Sequence, residues 1–314
     1  MTTSRSLPAE SSERAGAARA PARRLWLFLP PYAWLGLALN LFAWVSMWGR
    51  LGFWWPYMFF PLWLGFILVL DGLNVALRGT SPLTRSGWRF IALFLLSSPF
   101  WWVFEGLNAP VGNWVYHVDH NYGALSYIFW TSLDFSAVLP AVMEMVELLT
   151  AIPTLRPRLA PGSLGRRLSP RAALGLVALG LVMLAAPFFW PRLAFGLIWL
   201  CLIFLLDPIN NLAGRPSAFG RLLAGDWRFI AALALGALAC GFFWEMWNSR
   251  ALPGWSYIIP YFNAPPYLFG GPVPHLFEMP VPGYLGYLPF GVELFAMYQF
   301  ALLLLRVRRD HLNV

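Results

Sequence analysis

The sequence predicts an all-α fold: a polytopic membrane helix bundle of eight spans, arranged as two parallel four-helix repeats. Three observations carry that prediction. Hydrophobic residues fill 59% of the 314 positions and charged residues only 11%. A soluble domain averages roughly 45–50% and about 25%, so the solvent of this chain is mostly lipid. Apolar runs of about 18–25 residues, the length that crosses a bilayer as helix, recur along the chain. Five polar and aromatic motifs also occur twice in the same order.

The predicted spans lie near 31–49, 59–77, 88–107, 133–155, 172–190, 194–212, 227–247 and 288–305. Pro140 interrupts the fourth, so residues 125–139 are read as a separate surface or re-entrant piece. Segments 108–132 and 248–287 are rich in Gly, Pro, Asn and Tyr and are expected to be ordered outer loops rather than helices. Residues 1–24 are rich in Ser, Ala, Arg, Glu and Pro, and are expected to form a disordered cytoplasmic tail without the apolar core of a cleavable signal peptide. Residues 25–160 then hold the first repeat and 161–314 the second.

All 22 basic residues are Arg. Nineteen fall in the N-terminal tail, the even-numbered connections or the C-terminal tail; only Arg50, Arg192 and Arg250 fall on the other side. The positive-inside rule therefore places both termini in the cytoplasm of a multi-pass protein of the cell's inner (plasma) membrane. The net charge of +8 is explained by topology. The bilayer is the expected partner, nucleic acid is not, and oligomeric state is left open.

Composition also removes chemistries. Without Lys there is no Schiff base, hence no retinal or pyridoxal mechanism. His117, His120, His275 and His311 all lie outside the spans, against a buried bis-His haem or a His-rich iron site. His117, His120, His275 and Glu278 are read as solvated loop residues, and no metal is expected. Cys201 and Cys240 sit in apolar stretches and read as small core residues. The chain has no Gly-rich phosphate loop, no G-x-S-x-G elbow and no Asp-rich diphosphate motif. No cofactor is called for.

The repeated motifs are these. Asp71-x-x-Asn74 matches Asp207-x-x-Asn210, and Trp88-Arg89-Phe90-Ile91 matches Trp227-Arg228-Phe229-Ile230. Glu105-x-x-Asn108 matches Glu245-x-x-Asn248, and Trp114-x-Tyr116 matches Trp255-x-Tyr257. Leu139-Pro140-x-x-x-Glu144 matches Leu288-Pro289-x-x-x-Glu293. The offset grows from 136 to 149, as loop insertions produce. An even number of spans per half keeps both halves in one orientation, related by an axis along the membrane normal.

Depth follows from the helical rise of 1.5 Å per residue. Counting from the flanking arginines puts Glu105 and Glu245 roughly 24 Å above the cytoplasmic interface, and Glu144 and Glu293 roughly 18–20 Å above it. These four acids are expected at one outer-half site as the catalytic groups, since intramembrane carboxyls are usually functional. Asn108 and Asn248, three residues on, are expected to orient Glu105 and Glu245. The loops carrying Trp114, Tyr116, Trp255 and Tyr257 are expected to roof the site, with Trp102 and Trp244 from the aromatic clusters 100–102 and 242–244 contributing walls. Asp71, Asn74, Asp207 and Asn210 lie only about 10–12 Å from the cytoplasmic arginines. They read as structural helix-to-helix glue. Trp88-Arg89 and Trp227-Arg228 read as interface anchors.

An acid at the outer end of a span, then Gly112-Asn113-Trp114-Val115-Tyr116, then Leu139-Pro140 and Glu144, forms a recognisable order; the second half reads Glu245, Gly254-Trp255-Ser256-Tyr257, Gly286-Tyr287-Leu288-Pro289 and Glu293. It resembles, distantly, the integral-membrane lycopene cyclase domain family and related membrane terpene cyclases, over roughly 61–155 and 195–306. The family has Asp where Glu105 and Glu245 stand and a tight Glu pair after its Leu-Pro; this chain also has an extra first helix in each half. The resemblance implies a cofactor-independent acid–base cyclase or isomerase acting on a polyprenyl or carotenoid-like lipid. Carboxyls would protonate the substrate, and aromatic faces would steady the cation. Parallel repeats with buried acids also suit a proton-coupled transporter or lipid flippase, and the abundance of Trp suits a non-catalytic membrane assembly subunit.

Overall fold

The computed structural model describes residues 29–158 and 165–307, so the expected 1–24 tail lies outside the described residues. The described chain is predominantly helical. In order, it forms α1 (Pro31–Gly49), α2 (Phe59–Arg78), α3 (Pro82–Ser86), α4 (Ile91–Val111), β1 (Trp114–His117), α5 (Ala124–Phe135) and α6 (Val138–Leu149). The second half holds α7 (Pro170–Phe189), α8 (Pro191–Ala194), α9 (Cys201–Leu212), α10 (Ala218–Leu223), α11 (Arg228–Asn248), β2 (Gly254–Tyr257), β3 (His275–Leu276), β4 (Met279–Pro280) and α12 (Tyr287–Leu304).

Six helical stretches of the described chain are long and apolar enough to cross a membrane: Phe59–Arg78, Pro82–Val111, Pro170–Phe189, Pro191–Leu212, Arg228–Asn248 and Val281–Leu304. The other two expected spans take different forms. α1 is a 19-residue helix held against α2 through small residues. A Cβ on Gly65 would come within 2.6 Å of the Asn40 backbone N, and Asn40 Nδ2 donates to Leu62 O at 2.9 Å. The 133–155 stretch divides at Ser136–Ala137 into α5 and α6, each 12 residues long. Twelve residues rise only about 18 Å, short of a roughly 30 Å hydrocarbon core. α6 is nevertheless buried from Val138 through Glu147, wedged among α2, α4 and α11. Burial by protein rather than by lipid allows so short an apolar helix there.

The segments between α4 and α6 and between α11 and α12, expected to be loops, hold regular structure. Residues 124–135 are helical rather than loop. β1 and β2 pair antiparallel, with Trp114 opposite Tyr257 and Tyr116 opposite Trp255, so the all-α expectation acquires a small sheet that joins the two halves. A second two-stranded pair joins β3 to β4.

The lower polar motifs form end-caps. Ser81 and Ser217 are N-caps of the short helices α3 and α10, accepting from Thr84 N and Gly220 N. Asp71 accepts from Ser81 Oγ (2.9 Å) and Leu83 N (3.0 Å), and from the Tyr32 hydroxyl. Asp207 accepts from Ala218 N (2.8 Å) and Phe219 N (2.9 Å). Each Asp thus covers the open N–H groups of a helix start, where a carboxylate is also favoured by the helix dipole. Asn74 Nδ2 donates to Glu144 O (3.0 Å), and Asn210 Nδ2 to Ala296 O (2.8 Å), tying α2 to α6 and α9 to α12. Trp88 and Trp227 are largely exposed, each stacked with the neighbouring Arg89 or Arg228 at 5.8 and 5.9 Å.

Candidate functional site

A cavity of about 400 Å³ opens between the halves beneath the β1–β2 pair, within the range of small-molecule sites. Its walls are aromatic. Trp101 and Trp244 face each other at 5.2 Å between ring centroids, and Trp114 lies 5.7 Å from Trp199. Tyr116, Trp255, Tyr257 and Tyr287 complete the side nearest the strands.

Local chemistry places these rings. Gly112, at φ +60, ends α4 in the left-handed conformation that an L side chain disfavours, and the chain turns directly into β1. Asn108 then clamps the strand: Nδ2 donates to Trp114 O at 2.9 Å, while Oδ1 accepts from Asn113 N at 2.7 Å and Trp114 N at 3.3 Å. Asn248 clamps Trp255 in the same way, donating to its carbonyl at 2.7 Å and accepting from its N–H at 2.8 Å. The expectation that these amides orient Glu105 and Glu245 is therefore corrected. An Asn side chain matches one peptide donor and one acceptor, and here both are backbone groups of the Trp strands.

The two upper carboxyls lie behind the cavity wall, reached through its side chains. Glu105 Oε1 accepts from Trp101 Nε1 (2.8 Å), Trp114 Nε1 (3.1 Å) and Tyr116 OH (2.6 Å). Glu245 is fully buried. Its Oε1 accepts from Tyr257 OH and Tyr287 OH, both at 2.6 Å, while Oε2 has no protein partner. Trp255 Nε1 donates to Tyr257 OH at 2.7 Å, lengthening that chain. Gly241, one turn before Glu245, leaves room for the phenol: a Cβ there would stand 2.6 Å from the Tyr287 ring. Burial, then the adjacent Glu105 carboxylate, raises Tyr116 well above the ordinary tyrosine range; burial, then Glu245, does the same for Tyr257. Both strand phenols stay protonated and act as donors.

Glu144 and Glu293 are placed elsewhere. Glu144 accepts from Asn74 Nδ2 at 2.8 Å through Oε2; Glu293 Oε1 accepts from Leu202 N at 3.2 Å. Both are fully buried, each with its second oxygen unpartnered. Neither bonds to a residue that lines the cavity, as Glu105 and Glu245 do, so the four acids are not gathered at one site. Equal depth in a bundle fixes height and leaves azimuth open, and α6 and α12 turn these acids toward α2 and α9. Trp102 is likewise off the cavity, its indole donating to Ser132 Oγ at 2.9 Å. Trp244 lines it as expected.

Sequence reasoning passed over Asp134, Tyr287, Trp101 and Trp199, all of which line the cavity. A signal existed for one of them: Trp101 precedes Glu105 by four residues, one helical turn. His117 bonds to Ser256 Oγ and His120 to Asp119. No three His, Cys, Asp or Glu converge among the described residues. No family model, curated protein or solved structure matches the chain.

Proposed function

We propose that this chain is an integral-membrane, cofactor-independent acid–base cyclase or isomerase of a polyprenyl or carotenoid-like lipid, akin to the lycopene cyclase domain proteins. It stands in the plasma membrane as eight spans in two parallel repeats, with both termini cytoplasmic. The observation that carries the reading is the aromatic cavity whose wall phenols hydrogen-bond to two motif-matched glutamates. An apolar chain fits the walls, a phenol backed by a carboxyl delivers a proton to an alkene, and indole faces steady the positive charge that results. Glu245 is the acid, acting through Tyr257 and Tyr287; Glu105 holds Trp101, Trp114 and Tyr116 in place.

The test is expression of Glu245→Gln and Glu105→Gln in cells that accumulate carotenoids or polyprenoids, with products identified by mass spectrometry. The reading requires lost or altered products in Glu245→Gln. Unchanged products from both variants, each present at wild-type level in the membrane, overturn it.

Glu144 and Glu293 favour a second reading, proton-coupled transport. Each is buried between helices with an unpartnered oxygen, the kind of group that proton-driven carriers load and unload. Flux of lipid or small solute into proteoliposomes under a pH gradient, abolished in Glu144→Gln, would establish it.

A further inference from the structure

Five residues before Leu139 stands Asp134; five before the matching Leu288 stands Gly283. Both line the cavity, so one wall carries a carboxyl where the facing half carries only backbone. α5 directs one helical face inward, with Tyr127, Trp130, Thr131 and Asp134 spaced at three, four and seven residues. Among the described lining residues Asp134 is the sole carboxyl, and none is Arg or His. Burial weighs most on its carboxyl and disfavours the charged form; the Phe60 N–H, in the first turn of α2, acts the other way. Trp130, one turn earlier on α5, pairs with Tyr57 at 4.4 Å between centroids.

A carboxylate on an aromatic wall without a counter-charge is costly. An occupant that brings positive charge offsets that cost twice, by pairing with the carboxylate and by resting on π faces. We propose that Asp134 receives the positive centre that forms on the cavity's occupant, an apolar polyprenyl chain, and acts as the base that ends the reaction. This rests on the cyclase or isomerase reading, where the cation is the carbocation made by protonation. A proton delivered from the Glu245 side forms a C–H bond and leaves a neighbouring carbon positive. An Asp134 oxygen then takes a proton from the adjacent carbon, and the electron pair of that broken C–H bond becomes the new C=C. One proton enters and one leaves, with no change of oxidation state. Asp134 returns its proton to outer solvent and the Glu245 network takes one up.

The experiment compares farnesyl dimethylamine, protonated at neutral pH, with farnesol, which has the same chain without the charge. Binding to the full chain in nanodiscs is read by tryptophan quenching. The amine should bind wild type about tenfold more tightly than the alcohol. Asp134→Asn should bring the two within twofold while keeping the farnesol affinity, Asp134→Glu should retain the preference, and Glu245→Gln should keep it while losing turnover. A wild-type preference below twofold, or a preference undiminished in Asp134→Asn, overturns the proposal. Should Asp134→Asn not fold, the wild-type ratio and the Asp134→Glu ratio decide it in the same terms. If neither compound binds wild type, the isoprenoid reading falls as well.

Discussion

Glu105 and Glu245 occupy matched motif positions near the C-terminal ends of α4 and α11, yet their surroundings differ in kind. Glu105 is reached by two indoles and one phenol on a single oxygen. Glu245 is reached by two phenols, and its other oxygen has no partner. The divergence traces to one position. Trp101 stands one turn before Glu105; Gly241 stands one turn before Glu245 and lets Tyr287 of α12 lean in. An indole N–H only donates, whereas a phenol O–H both donates and accepts and can therefore pass a proton along. On the proposed reading, the first network, with one phenol, mainly holds aromatic rings, and the second, with two, carries the proton. The same carboxyl in matched sequence thus meets different partners according to the side chain one turn away.

The largest expected effect breaks that comparison most directly. Glu245→Gln should cut turnover of the lipid substrate by about 100-fold or more, the usual worth of a general acid, while Glu105→Gln should cost about tenfold. Equal losses, measured as product per folded protein in nanodiscs, would mean that the two networks do not divide the work. Next, Tyr287→Phe removes one phenol from Glu245 and should lower turnover by up to about tenfold, since a hydrogen bond between neutral groups is worth about 0.5–1.5 kcal/mol. Gly241→Ala, which displaces the same ring, should match it within a factor of a few; wild-type turnover in Gly241→Ala would show that the ring position is immaterial.

Stability sharpens the comparison further. Asn108 holds three backbone groups and Asn248 two. Asn108→Ala should therefore cost about 2–3 kcal/mol and Asn248→Ala about 1–2 kcal/mol, read from denaturation midpoints in detergent. The reverse order would place the firmer clamp on the second half. The smallest effect is expected at Glu144 and Glu293. Gln in either place should leave turnover within twofold, because neither is hydrogen-bonded to a residue that lines the cavity. Loss of product from either variant with ligand binding intact would extend the catalytic centre below the cavity floor.

Much of this was legible in the sequence, for identifiable reasons. Apolar length located the long helices, because lipid demands unbroken runs of hydrophobic side chains with internally bonded backbones. The Asp71 and Asp207 motifs were correctly read as structural, though the helix starts they cap lie ten or more residues downstream. Trp114, Trp255 and Trp244, singled out by their motifs, all line the cavity. Glu144 and Glu293 were misgrouped because depth along a helix says nothing about which neighbour the helix faces. The sequence places a break in the fourth span at Pro140; it falls instead at Ser136–Ala137, and Pro140 sits in the first turn of α6, where its missing N–H costs no helical bond.

Asp134 marks the boundary between the two kinds of knowledge. Its spacing from Tyr127 and Trp130 is helical, yet the Gly, Asn and Tyr around them read as loop, and the helix there is a finding of the structure. What that helix looks upon depended on the packing of α5 against α2 and on the strand pairing of β1 with β2, contacts between residues far apart in sequence. Composition, arginine placement and motif order therefore determine a lipid-embedded helical protein with matched carboxyls. Which of those carboxyls reach a common cavity, and through which donors, was decided only in three dimensions. Hydropathy and spacing act along one helix, whereas a site is made where several helices meet.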